Sequence, residues 1–184
     1  MRQQLRLHPD SPSVAVKSID VEIAPPRAGS LELSYIVTGQ MRSVRMPSAA
    51  ANARSDGLWR HTCFEAFIRA APDTKYYELN FSPSGQWAAY QFSGYRSGMR
   101  VADEITGVPI KMHASAEECV LQASLDPDRF TGLPRHRSWR LGLSAVIEDT
   151  NGGISYWALA HPPGKPDFHH ADGFVCEFFP AVKP

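Results

Sequence analysis

Glu65 lies in the run Cys63, Phe64, Glu65, Ala66, Phe67, with apolar neighbours on both sides. A carboxylate set mid-strand in such a run must reach water, a cation or a ligand hydroxyl, because burying it unpaired is expensive. Strand alternation puts it on one face with Cys63, Phe67 and Arg69. On the next run Glu78 and Asn80 share a face with Tyr76. A hairpin that joins the two faces makes Glu65, Glu78 and Asn80 a polar patch in an aromatic wall. Hydroxyl acceptors beside apolar area are what a neutral polyol requires. The same three residues are equally consistent with a network closed by Arg60, Arg69 or Arg96 that only stabilises the sheet. Trp59 follows the loop Arg54, Ser55, Asp56, Gly57 and enters from the rim, where its ring can face a sugar or cap the core. Arg96, in the segment SGYRSGM, can donate to a ligand oxygen or pair with Asp103 or Glu104.

Other chemistries find less support. Glu65 and Glu78 as acid and base of a glycosidase would need to stand about 5–9 Å apart across a cleft, and acidic residues on adjacent strands are common, so a non-enzymatic protein is expected. His161, Asp167, His169 and His170 in HPPGKPDFHH invite a zinc site, yet no HExxH, ligand helix or cysteine pair accompanies them. Asp167 capping its own loop is the simpler expectation. Ser82 and Ser84 lack a GxSxG elbow, and Cys63 sits in an apolar strand where a thiol is inert. Gly85, Gly94 and Gly98 follow no strand, glycine loop and helix order and read as turns rather than a phosphate cradle.

The elements that must position these residues are short and alternating. LRLHP opens the chain; VKSIDVEI places Ile19, Val21 and Ile23 on one face, with Pro25 and Pro26 ending the run. LELSYIVT at 31–38 repeats the pattern with Leu31, Leu33, Tyr35 and Val37, and SVRM at 43–46 reads as a further short strand. The segment PSAAANARSDG reads as a loop with room for one helical turn. Residues 62–69, 74–85 and 86–92 predict three antiparallel neighbours, the first two joined through Ala70 to Asp73. PIKMHAS and ECVLQASL make another pair, WRLGLSAVIEDTNGGISYWALA two strands turning at Asp149 to Gly153, and FVCEFFP the last strand. Ten or eleven strands with no long helix predict an all-β two-sheet antiparallel sandwich or jelly roll.

Composition sets the outer bounds. The 184 residues, 43% of them hydrophobic, suit one domain over 1–184. Lys+Arg and Asp+Glu each total 19, so no field of one sign is available to draw in nucleic acid or an anionic membrane; Arg135, His136, Arg137 and Arg140 make only a local cluster. No apolar stretch near the N-terminus or elsewhere suits a signal or a membrane span, which predicts a cytoplasmic protein. Cys63, Cys119 and Cys176 form no CxxC pair and are expected to be reduced and buried.

At LWRHTCFEAFI (58–68), YYELNFSPSGQWAAYQF (76–92), and LGLSAVIED with SYWALAHP and PDFH (141–169) the chain resembles the DOMON-like superfamily of β-sandwich domains, near the family 9 carbohydrate-binding modules and their bacterial single-domain relatives. The resemblance spans most of the chain. It implies a jelly roll whose concave face binds a small molecule, a sugar in some members and haem in others. In the sugar binders an aromatic ring stacks on the sugar and an acidic side chain takes its hydroxyl protons; Trp59 and Glu65 match that pair by spacing. Trp157 and Phe168 are candidates for a second ring, and Arg60, Glu78, Asn80 and Arg96 complete the candidate ligand set. A haem reading would draw its ligands from Met99, Met112, His161 or His169. No cofactor is expected on the sugar reading.

Overall fold

The computed structural model describes residues 1–12, 15–24 and 29–180. Pro25 and Pro26 lie outside the described residues. Among the described residues twelve strands form, one more than the upper expectation, because the short β7 (Arg100–Val101), which the sequence pattern does not reveal, joins the sheet; the expected last strand is β12 (Cys176–Phe178). The remaining strands are β1 (Arg2–Leu7), β2 (Val16–Ala24), β3 (Leu31–Gly39), β4 (Cys63–Ala70), β5 (Tyr76–Phe81), β6 (Trp87–Phe92), β8 (Ile110–Ala114), β9 (Glu118–Leu125), β10 (Trp139–Glu148) and β11 (Ile154–Ala158). Helix among the described residues is confined to three-residue 3₁₀ turns. SVRM is not a strand: Ser43 closes one such turn, and Val44 makes a single bridge to Asp149.

All the strand pairs are antiparallel and follow one path, β7-β6-β5-β4-β10-β11-β1-β2-β3-β9-β8, with β12 on the outer end of β10. The path is continuous because β1 is shared. Its first residues pair with β2, Arg2 opposite Glu22 through Leu5 opposite Ile19, and its last two with β11, Arg6 opposite Ala158 and Leu7 opposite Trp157. The expected separation into two sheets therefore gives way to a curled sheet whose halves face each other.

Alternation decides what fills the space between the halves. Ile19, Val21, Ile23, Leu31, Leu33, Tyr35, Val37, Leu121 and Ala123 come from one half, and Phe64, Ala66, Ile68, Tyr77, Leu79, Phe81, Leu141, Leu143 and Trp157 from the other. Tyr35 of β3 ties them together: its ring packs on Phe64 at 5.1 Å, and its hydroxyl donates to the backbone oxygen of Glu65 on β4 at 2.7 Å. Tyr35→Phe is expected to cost about 1–2 kcal/mol in urea unfolding, the worth of one buried hydrogen bond whose acceptor is left in the core. The three cysteines are free and buried.

In β4 every residue but Arg69 is buried. That requires cover on both faces, which is why the strand reads as a nearly continuous apolar run. One face meets the core; the other holds the site.

Candidate functional site

The second face of β4, β5, β6, β10 and β11 carries the side chains that alternate away from the core. Register brings them into a wall: Glu65 stands opposite Asn80 on β5 and Ser144 on β10, Phe67 opposite Glu78, Glu78 opposite Tyr90 on β6, and Val146 opposite Tyr156 on β11. Phe67, Tyr76, Ala88, Tyr90, Phe92 and Phe174 form a second apolar cluster here, separate from the main core.

A cavity of about 420 Å³ opens above this wall. Glu65 and Glu78 reach it between Phe67, Tyr90, Phe92, Val146 and Tyr156, and Trp59, Arg96, Met99, Pro166, Phe168 and His169 close its sides. Of the eight candidates from sequence, five line it: Trp59, Glu65, Glu78, Arg96 and Phe168.

The other three are placed elsewhere. Trp157 is only 4% exposed and belongs to the main core, its indole N–H donating to the Ser155 hydroxyl; its opposite neighbour in β10 is Ala145, so Tyr156, one residue earlier, faces the cavity instead. Arg60 ends the turn Leu58–Arg60 and is exposed to solvent rather than to the cavity. Asn80 is fully buried within the wall and does not line the cavity; its amide N–H donates to Glu78 Oε1 at 2.8 Å and its oxygen accepts from the Cys63 thiol at 3.7 Å. It aims Glu78 rather than facing a ligand.

The acidic row has no arginine on it. Glu65 is 3% exposed and receives one hydrogen bond, from the Ser144 hydroxyl to Oε2 at 3.2 Å. Burial, and then the charge of Glu78, push its carboxyl well above the usual range. Glu78 is raised too, by burial, against the pull of Asn80 and Arg96. Arg69 instead lies over the Phe174 ring, 4.6 Å from its centre, and Arg96 pairs with Asp167 at 2.8 Å rather than with Asp103 or Glu104. Glu104 is taken by Arg100.

Asp167 pins the cover together. Its carboxylate accepts from Arg96, from the Tyr95 hydroxyl at 2.6 Å and from the His169 backbone N–H at 3.1 Å, the last being the expected local cap. Arg96 holds a left-handed backbone, φ 47°, unusual for a side chain of its size, and its N–H donates to the Tyr76 hydroxyl at 3.3 Å. Tyr76 in turn meets His169 Nδ1 at 2.7 Å, while His169 Nε2 lies 3.7 Å from Glu78. The arrangement that satisfies every group has Tyr76 donating to Nδ1 and the imidazole N–H on Nε2, toward Glu78. Burial and the nearby Arg96 push His169 down to about 4, so the ring is neutral.

Trp59 is 41% exposed and stands edge-on to Tyr90, ring centres 6.1 Å apart. Tyr90 is fixed by its hydroxyl on Asp56, which also pairs with Arg54. One indole face is thus left at the rim of the cavity.

His161 and His170 are engaged away from the cavity, His161 with the Arg6 carbonyl and His170 with Asp172, and among the described residues no group of three or more His, Cys, Asp or Glu is placed to hold a metal. The donor set does not suit a haem either. Met99 is largely in solvent, His169 Nε2 is turned to Glu78, and a flat apolar macrocycle would cover two carboxyl groups without pairing them. Glu65 and Glu78 rise from adjacent strands of one wall, not from two sides of a cleft.

Parity could have found Tyr90 and Phe92, which fall on the face of Glu78 once β5 and β6 pair. His169 had a sequence signal only as a metal ligand, and its part in the cover depends on a loop folding back over the sheet.

No protein-family model and no curated protein matches the chain. Among solved structures, the chain is similar in fold to a crystal structure of a proposed carbohydrate-binding protein from Bacteroides uniformis, with a TM-score of 0.69 and 17% identity over 95% of this chain and 84% of that one. No helix among the described residues is long and apolar enough to cross a membrane.

Proposed function

We propose that this chain is a non-catalytic binding domain for a carbohydrate or similar polyol, held in the cavity above β4 and β5. The observation that carries the reading is a cavity joining apolar ring walls to a buried carboxyl pair that, among the described residues, forms no ion pair with an arginine or lysine. Trp59 offers its free face to the CH side of a ring, and Glu65 and Glu78 exchange hydrogen bonds with hydroxyls. Burial favours the protonated form of Glu65, which can donate as well as accept. Arg96 is positioned by Asp167 and leaves its remaining guanidinium donors for a ring oxygen. The curled sheet is read as a jelly-roll sandwich of the DOMON-like type, supported by the facing of its halves through Tyr35 and by the likeness in fold to the Bacteroides protein.

The competing reading, a structural sandwich with a self-filled groove, is disfavoured by the open volume beside Glu65. Calorimetric titration of the full chain with a panel of neutral mono- and disaccharides is expected to give saturable heat for at least one of them. Heat from none, with no change in indole fluorescence, would overturn the sugar reading.

A further inference from the structure

The walls of the cavity are richer in carboxyl groups and aromatic surface than a neutral sugar requires. Glu65 is 3% exposed, lines the cavity, and among the described residues its carboxyl receives one hydrogen bond, from the Ser144 hydroxyl to Oε2. The groups around the two carboxyls come from every element packed on them: Cys63 on β4, Tyr76 on β5, Tyr90 on β6, Ser144 on β10, and Arg96, Asp167 and His169 from the cover. Among these the potential cations are Arg96 and His169. Arg96 is spent on Asp167 at 2.8 Å, and the His169 ring is neutral. The acid pair therefore faces a ring-lined space and, among the described residues, makes no ion pair with an arginine or lysine, the combination that seats an organic ammonium: carboxylates for its N–H groups and π-faces for its charge.

We propose that the cavity, taken as the sugar site above, is built for a sugar or polyol carrying a protonated amine, its ammonium seated against Glu65 and Glu78 and flanked by Phe67, Tyr90 and Phe92. The inference rests on the sugar reading and narrows it. An ammonium favours the ionised form of Glu65 that burial disfavours, so binding draws a proton off the carboxyl pair into solvent while the ligand stays charged. A neutral sugar leaves it in place.

The test is calorimetry on the full chain at pH 6, where the amine is charged, with D-glucosamine, N-acetyl-D-glucosamine and D-glucose, each in two buffers of different ionisation heat. D-glucosamine is expected to bind roughly tenfold or more tighter than D-glucose, with net proton release that the other two lack. Glu78→Gln is expected to abolish that preference. D-glucose or the N-acetyl sugar binding as tightly as glucosamine would overturn the inference and leave the sugar reading intact. A glucosamine preference without proton release would overturn the seat at the buried carboxyls. No heat from any of the three, nor from the neutral panel, would overturn both readings.

Discussion

Trp157→Ala is expected to destabilise the fold by about 3–5 kcal/mol, whereas Trp59→Ala is expected to cost under about 1 kcal/mol and to weaken sugar binding roughly tenfold or more. The two tryptophans differ in which face of the sheet they meet. Trp157 packs between the halves next to the seam with β1, opposite Leu7, and its loss opens a void in a dense interior while leaving the Ser155 hydroxyl without its donor. Trp59 rides on a 3₁₀ turn entered through Gly57, whose φ of 76° favours glycine, is 41% exposed, and meets Tyr90 in a T-shaped ring contact. Little packing is lost when it is cut back, but the rim loses its free aromatic face. Urea unfolding and calorimetric titration of both variants separate the roles. Wild-type sugar affinity in Trp59→Ala would sink the stacking assignment.

From about pH 4.5 upward the buried carboxyls of the ligand-free protein are expected to lose their contribution to stability as pH rises through their folded values, at up to about 1.4 kcal/mol per pH unit for each. The sign follows from burial. Glu65 and Glu78 are raised above 4.5, so the folded state keeps protons that the unfolded chain releases, and the stability so gained is lost on climbing from there through the folded values. His169 acts in the opposite sense: lowered from 6.5 to about 4, it leaves the folded state with fewer protons than the unfolded chain between those values. Stability therefore drops by about 3 kcal/mol as pH falls through that window. Where the two windows overlap, upward from 4.5 and below 6.5, the slopes oppose each other. Glu65→Gln keeps the shape and a hydrogen bond with Ser144 but removes the titrating group, and is expected to stabilise the fold at pH 8 by about 1–3 kcal/mol and to flatten the upper limb. His169→Gln should flatten the lower one. Thermal unfolding from pH 4 to 9 reads both; a high-pH limb that is flat in wild type would refute the buried, unpaired state of Glu65.

The wall of the site was legible in the sequence, because a strand's period of two fixes which side chains share a face. Glu65, Glu78 and Asn80 fall together for that reason, and their register then follows from pairing β4 with β5. Parity failed at β11 only because nothing local says whether Trp157 or Tyr156 faces the core; the partner residues on β10 decide it. The cover was not legible. Arg96 has acids of its own neighbourhood in Asp103 and Glu104, yet its partner is Asp167, brought back by a proline-rich loop whose course obeys no periodicity. SVRM misled because four alternating residues cannot by themselves show that a neighbouring strand exists to complete the ladder.

The sharing of β1 also orders how the chain can assemble. Its first half meets β2 soon after both have left the ribosome, but Arg6 and Leu7 must wait for Ala158 and Trp157. Closure is therefore among the latest and entropically dearest steps, a long-range pairing made only when the C-terminal hairpin exists. Until then β11 presents a bare edge and the core lies open along it. The nascent protein is most vulnerable to strand exchange with a second copy at this seam, whose strand β11 also supplies Tyr156 to the wall of the cavity that the finished fold serves.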